Sequence, residues 1–260
     1  MKIIKYSNNL AKRFRTALIT SALAGFMHTV SGEPVVTEFT AYYKVVKGGI
    51  TVGETKRSVK SLKPNIFEFR SETAPRGIFN WISDAYVLEQ SQWQYDDNGF
   101  KPLEYNYQNI NDDQVHNVKL LFDWEKKRVT NIINGDPWHM ALQPGLQDKL
   151  LFQLTMMEDL KHGMEQLIYS VADGGKIKEY RIEKLGRETL DIPLGRFEVT
   201  KLQRITPTKT TVWWCAEQLQ YLPVKIQQKK TEGGRVTAVL YKLEGIPLPQ
   251  APTEPQPSSE

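Results

Sequence analysis

Apolar and polar residues alternate with a period of two along most of the chain. Phe67, Phe69, Ser71 and Thr73 alternate with Glu68, Arg70 and Glu72, and Leu103, Tyr105 and Tyr107 with Glu104, Asn106 and Gln108. His116, Val118, Leu120, Phe122 and Trp124 share one face, with Asn117, Lys119 and Asp123 on the other. Tyr180 and Ile182, then Val224 and Ile226, continue the pattern. Successive side chains of a strand point to opposite faces, so this period predicts strands with one wet side. Turn sequences divide them: Lys47-Gly48-Gly49, Asp96-Asp97-Asn98-Gly99, Asn134-Gly135-Asp136-Pro137, Asp173-Gly174-Gly175 and Glu232-Gly233-Gly234. The spacing predicts a mainly β protein, an antiparallel and strongly curved sheet or half-barrel of about a dozen strands, because a flat sheet that wide must curl, close or split.

One segment follows a different period. Leu146, Leu150, Leu151, Leu154, Met157 and Leu160 recur in steps of three and four, which predicts an amphipathic helix over 146–160. Pro144-Gly145 marks its start and His162-Gly163 its end. Asp148 falls in its first turn, where a carboxylate suits the helix dipole, and His162 in its last. A lone helix in a β protein must lay its apolar face on the sheet, across its mouth or its concave side. A second, shorter helical turn is predicted from Gly77 to Ser83.

The N-terminal residues read as a signal peptide over 1–32. A cationic stretch from Lys2 to Arg15 precedes an apolar run, Thr16 to Val30. That run is shorter than the roughly 20 residues of a membrane-spanning helix. Val30-Ser31-Gly32 fits a cleavage site, which puts Glu33 first in the mature chain. The address expected is the periplasm of a Gram-negative cell. From Ile246 to Glu260 the chain turns rich in Pro, Gln, Ser and Glu, which predicts a disordered tail. One β-rich domain is expected between, over 33–245.

Charge changes the picture only by being removed. The chain has 34 basic and 30 acidic residues, net +4. Lys2, Lys5, Lys12, Arg13 and Arg15 belong to the first 32 residues, which hold no acid. The remainder carries 29 basic against 30 acidic residues, near −1. No basic patch is left to argue for nucleic acid.

Several local patterns run in one order through the expected domain. They are Tyr42-Tyr43-Lys44-Val45 with Gly49-Ile50-Thr51-Val52-Gly53-Glu54, Lys101-Pro102-Leu103-Glu104-Tyr105, Gln147-Asp148-Lys149-Leu150-Leu151, Val171-Ala172-Asp173-Gly174, Pro193-Leu194-Gly195-Arg196-Phe197 and Tyr221-Leu222-Pro223-Val224-Lys225-Ile226. Together they resemble domain-of-unknown-function family 3108, a family of uncharacterised bacterial exported proteins. The resemblance implies an antiparallel, barrel-like or half-barrel fold and a cell-envelope address. It implies no catalytic residue.

Candidate chemistry is sparse. Outside the leader the histidines are His116, His139 and His162, with no His-x-x-x-His pair, and Cys215 is the single cysteine. No metal site and no cofactor follow from that set. Cys215 lies in Val212-Trp213-Trp214-Cys215-Ala216, where a buried inert thiol is expected. No Gly-x-Ser-x-Gly elbow and no phosphate-cradling loop is present. The acidic pairs Asp96-Asp97, Asp112-Asp113 and Glu158-Asp159 read as solvated turns or a helix end. Trp213 and Trp214 are neighbours on one strand and must face opposite sides of the sheet.

These features predict a non-catalytic binding protein that holds an apolar or lipid-like ligand between curved sheet and helix. Trp213, Trp214, Phe152, Met156, Met157 and His116 are its candidate lining residues. The alternative is an envelope interaction or assembly protein that binds another protein or a glycan and holds no internal ligand. A hydrolase built on His116 and loose carboxylates is a third reading.

Overall fold

The computed structural model describes residues 36–77, 85–96, 99–111 and 114–249. The expected signal peptide, its cleavage site, Trp81, Asp97, Asp112 and Asp113 lie outside these residues, as do most of the predicted helical turn near Gly77 and most of the Pro-rich tail.

The described strands are β1 (Phe39–Lys47), β2 (Ile50–Lys63), β3 (Ile66–Pro75), β4 (Tyr86–Asp96), β5 (Gly99–Asn111), β6 (Gln114–Asp123), β7 (Arg128–Ile133) and β8 (Asp136–Ala141). After them come β9 (Gln147–Asp148), helix α1 (Phe152–Lys161), β10 (Leu167–Asp173), β11 (Lys176–Ile192), β12 (Gly195–Ile205), β13 (Lys209–Ala216), β14 (Leu222–Lys230) and β15 (Arg235–Glu244). They form one sheet in the order β8-β7-β6-β5-β4-β3-β2-β1-β15-β14-β13-β12-β11-β10-β9. The chain starts in the middle, meanders to one end, crosses over through α1 to the other end, and meanders back until β15 pairs with β1. Every described pairing is antiparallel except β9 on β10. Hairpins between alternating strands leave no other simple path.

Bulges bend this sheet. The register shifts between Val45 and Val46, Gln92 and Trp93, Lys184 and Gly186, and Trp214 and Cys215, and each extra residue kinks its strand. The ends curl toward each other without pairing. Trp138 Nε1 on β8 donates to the Gly175 carbonyl in the β10–β11 turn at 3.3 Å. Gln147 Nε2 on β9 donates to the Phe100 carbonyl at 3.0 Å. Gly175 has φ +74°, and a Cβ there would overlap the Trp138 ring, so this overlap of the two ends depends on glycine. Gly53 matters in the same way, since a Cβ would fall 2.6 Å from the Ala74 carbonyl oxygen.

The helix is shorter than the sequence pattern predicts. Gln147 and Asp148 pair in parallel with Val171 and Ala172, and α1 begins only at Phe152. Asp148 explains the difference. Its Oδ1 accepts the N–H groups of Leu150 and Leu151, both at 2.8 Å, and its Oδ2 accepts the Ser91 hydroxyl. The carboxylate thereby satisfies N–H groups that a helix start leaves orphaned, while its backbone serves β9. His162 is the C-cap, as its position in the sequence suggests.

Nor does α1 bury a single face. Leu154 and Met157 join Leu146, Leu150, Leu151, Tyr105, Leu120 and Phe122 in one apolar cluster. Phe152, Met156 and Leu160 join Tyr169, Tyr180, Leu202 and Trp213 in another. The helix is wrapped by the curved sheet. Each such side chain contributes about 1.5–3 kcal/mol on burial. Ile246 is also buried in the first cluster, so the packed chain continues to at least that residue.

Candidate functional site

Five of the six predicted lining residues are core. The Phe152 ring lies edge-on to Tyr180 at 5.2 Å and to Trp213 at 6.4 Å, and is tilted against Tyr169 at 6.0 Å. Met156 is fully buried, and Met157 nearly so, in the other cluster. Their own side chains fill the places predicted for a ligand under the helix. Trp214 faces away from Phe152. Its Nε1 donates to Glu188, and the Lys225 and Lys201 ammonium groups lie 4.5 and 5.3 Å from its ring centre. Cys215 is buried, and burial pushes its thiol pKa far up. His116 is exposed at the rim of a small cavity, and its ring meets Tyr107 edge-on at 6.1 Å. His139, on β8, is exposed and shares a 3.3 Å contact with the Thr130 hydroxyl.

A cleft of about 680 Å³ lies elsewhere. It runs between the β4–β5 hairpin, α1 and the first half of β10. Tyr95 and Phe100 meet edge-on at 5.0 Å on one wall, backed by Trp93, which stacks on Phe67 at 4.8 Å. Trp124 adds a third ring, pinned by its Nε1 donating to the Pro102 carbonyl at 2.7 Å and topped by Lys101. The opposite wall is Ile168, Tyr169 and Ser170 of β10.

That wall is a free strand edge. β11 covers one side of β10 throughout, but β9 covers the other side only at Val171 and Ala172. Among the described residues, Leu167 to Ser170 therefore have no strand partner on the cleft side. The cause is legible in the chain. Pro144 has no N–H to donate, and Gly145 takes φ +73°. Leu146 N–H turns back to the Gln143 carbonyl at 3.2 Å, and the segment leaves β10 before it can pair further.

Polar groups line the same cleft. Glu158 pairs with Lys161 at 3.1 Å. Asp159 accepts the Tyr169 hydroxyl at 2.9 Å. Burial raises the Asp159 pKa, with the Tyr169 hydrogen bond opposing it. Burial also raises Tyr95, helped by the Glu158 charge. Gln147 Oε1 and Thr155 Oγ1 are buried beside the cleft with no hydrogen-bond partner among the described residues, an uncommon condition for polar atoms.

A second cavity, about 190 Å³, lies on the far side of β9. Its lining mixes the apolar Val118, Leu120, Ile133 and Ala172 with Tyr105, Tyr107, His116, Lys149, Asp173 and Gly174. Among the described residues, no group of three or more His, Cys, Asp or Glu side chains is placed to hold a metal ion. No described helix is long and apolar enough to cross a membrane.

Sequence reasoning did not place Ile168, Ser170, Gln147 or Thr155 in a site. The available signals were Pro144-Gly145 just before the β9 segment, and an isoleucine on the polar parity of Leu167-Ile168-Tyr169-Ser170-Val171.

A family model described as "Protein of unknown function (DUF3108)" matches residues 38–240. No curated protein matches the chain. Among solved structures, the chain is similar to a β-barrel-like protein of domain of unknown function DUF1849 from Brucella abortus. Identity is 10%, the TM-score is 0.53, and the match covers 80% of this chain and 97% of that one. At that identity the likeness concerns the fold alone.

Proposed function

The chain belongs to the DUF3108 family, and on that premise we propose that it is a non-catalytic binding module of the cell envelope that holds an extended segment of a partner polypeptide beside β10. One observation carries this reading. Leu167 to Ser170 present an unpaired strand edge to a cleft floored by aromatic rings. An unpaired edge offers alternate N–H and C=O groups to an incoming strand. Side chains of that strand would alternate between the rings of Tyr95, Phe100 and Trp124 and the solvent side. Main-chain bonds would give affinity, and the rings would select apolar side chains.

The same geometry weighs against a lipid under the helix. Such a ligand would have to displace Phe152 and Met156, and opening a packed core of that kind costs several kcal/mol per large side chain. The export pattern of residues 1–32 supports a working place outside the cytoplasm.

The test is selection of ten-residue peptides from a random library on the purified protein, followed by titration of one synthetic winner. Ile168→Arg should weaken binding by at least about tenfold, near 1.4 kcal/mol, while Ile205→Arg, an exposed apolar control on β12, should leave it unchanged. Equal affinity for both variants, or failure to select any peptide, contradicts the reading.

A further inference from the structure

We propose that the small cavity between Tyr107 and the end of β10 is a separate site for a small amphipathic carboxylate, its apolar body on Val118, Leu120, Ile133 and Ala172 and its head beside Lys149 and His116. The lining is mixed. Val118, Leu120 and Ile133 stand beside Tyr105 and Tyr107 on neighbouring strands β5, β6 and β7, and Ala172 of β10 adds a further apolar group. Lys149 brings a cation, its ammonium 5.0 Å from the Tyr107 ring centre. His116 meets that same ring edge-on, so both nitrogen-bearing side chains contact Tyr107 at the cavity.

Among the described residues, Lys149 makes only a long ion pair, with Asp173. Its Nζ is 4.0 Å from Asp173 Oδ1, too far for a hydrogen bond. Asp173 is already engaged, because Lys178 Nζ and the Tyr180 hydroxyl both reach its Oδ2 at 2.9 Å. The other nearby acids are occupied too. Glu89 accepts the Tyr105 hydroxyl at 2.8 Å, and Asp148 accepts three hydrogen bonds. Burial lowers the Lys209 pKa, the charges of Lys149 and Arg204 lower it further, and Asp173 and Glu89 oppose them.

Ligand class follows from this mixed lining. A bare phosphate would leave the apolar groups unused, and an amine would be repelled by Lys149. A carboxylate on a short apolar body satisfies both, and a volume of about 190 Å³ admits a small molecule rather than a polymer. The site shares no lining residue with the peptide cleft, so each can fail without the other.

Hexanoate and its neutral counterpart hexanamide are the probes, titrated into isotope-labelled protein and followed by amide chemical shifts. Hexanoate should give saturable shifts at Val118, Leu120, Ile133 and Ala172. Hexanamide should bind about fivefold more weakly, the loss expected of a half-exposed ion pair. Lys149→Gln should reduce hexanoate to the level of hexanamide, and Val118→Phe, which fills the cavity, should abolish both. The proposal is overturned by dispersed or absent shifts, by equal affinity for acid and amide, or by Lys149→Gln retaining the preference for the acid.

Discussion

The space under α1 and the cleft beside β10 are built from the same materials, and only one of them is filled. Both are rich in aromatic rings, both touch α1, and both use β10. Leu167, Tyr169 and Val171 of that strand face Phe152, Met156 and Leu160 and are buried with them. Ile168 and Ser170 face the cleft, where Pro144-Gly145 has turned the chain away and left the strand edge bare. A dense run of apolar residues therefore marks where this protein packs on itself. The docking surface proposed for it lies where the backbone stops pairing.

Truncation should separate the two regions most sharply. Phe152→Ala or Trp213→Ala is expected to cost about 3–5 kcal/mol, because either leaves a cavity in a packed core. Urea unfolding followed by circular dichroism measures this. A loss below about 1 kcal/mol would mean that the space under the helix is open after all.

Asp148 tests how firmly the crossover segment is fixed. Asp148→Ala strands the N–H groups of Leu150 and Leu151 and the Ser91 hydroxyl, and should cost about 3 kcal/mol. Asp148→Asn keeps an acceptor and should cost less. The pH dependence has a defined sign. Burial raises this carboxyl from 3.8 to about 6, so the folded protein holds its proton more tightly than the unfolded chain. Stability from this group should be greatest below pH ~4, fall as pH rises to ~6, and level off above, by on the order of 2–3 kcal/mol in all. In Asp148→Asn this fall should vanish. Denaturation midpoints across that range check it, and an unchanged slope would refute the assignment.

Smaller effects belong to the seam and the cleft. Gly175→Ala should cost about 1–3 kcal/mol through its left-handed backbone and its collision with Trp138. Ile168→Arg should change stability by less than about 0.5 kcal/mol while removing peptide binding. If Ile168→Arg unfolds the protein instead, the cleft is part of the core and the contrast between the two regions collapses.

Much of the fold is legible in the sequence. The period-two runs around Phe69, Tyr105, Leu120, Tyr180 and Ile226 lie in β3, β5, β6, β11 and β14, because a sheet with one buried face leaves that imprint. The sheet has fifteen described strands where about a dozen are expected. The helix is visible too, but not its start. Leu146, Leu150 and Leu151 keep the helical spacing while Asp148 draws its neighbours into a strand and a turn. The site was the less legible part. Phe152, Met156 and Trp213 have the composition of a ligand pocket, yet composition does not say whether the partner of an apolar side chain is a ligand or another part of the chain. The free edge of β10 depends on pairing between residues 147–148 and 171–172, which is a long-range fact that no local pattern records.

Hydrogen exchange at Leu167, Ile168, Tyr169 and Ser170, measured with and without a saturating selected peptide, tests the central claim most directly. A strand offers every other N–H to each side, so two alternate amides of the four should slow strongly on binding while the other two, already bonded to β11, change little. Saturation of the protein by the peptide with all four exchange rates unchanged would contradict the account.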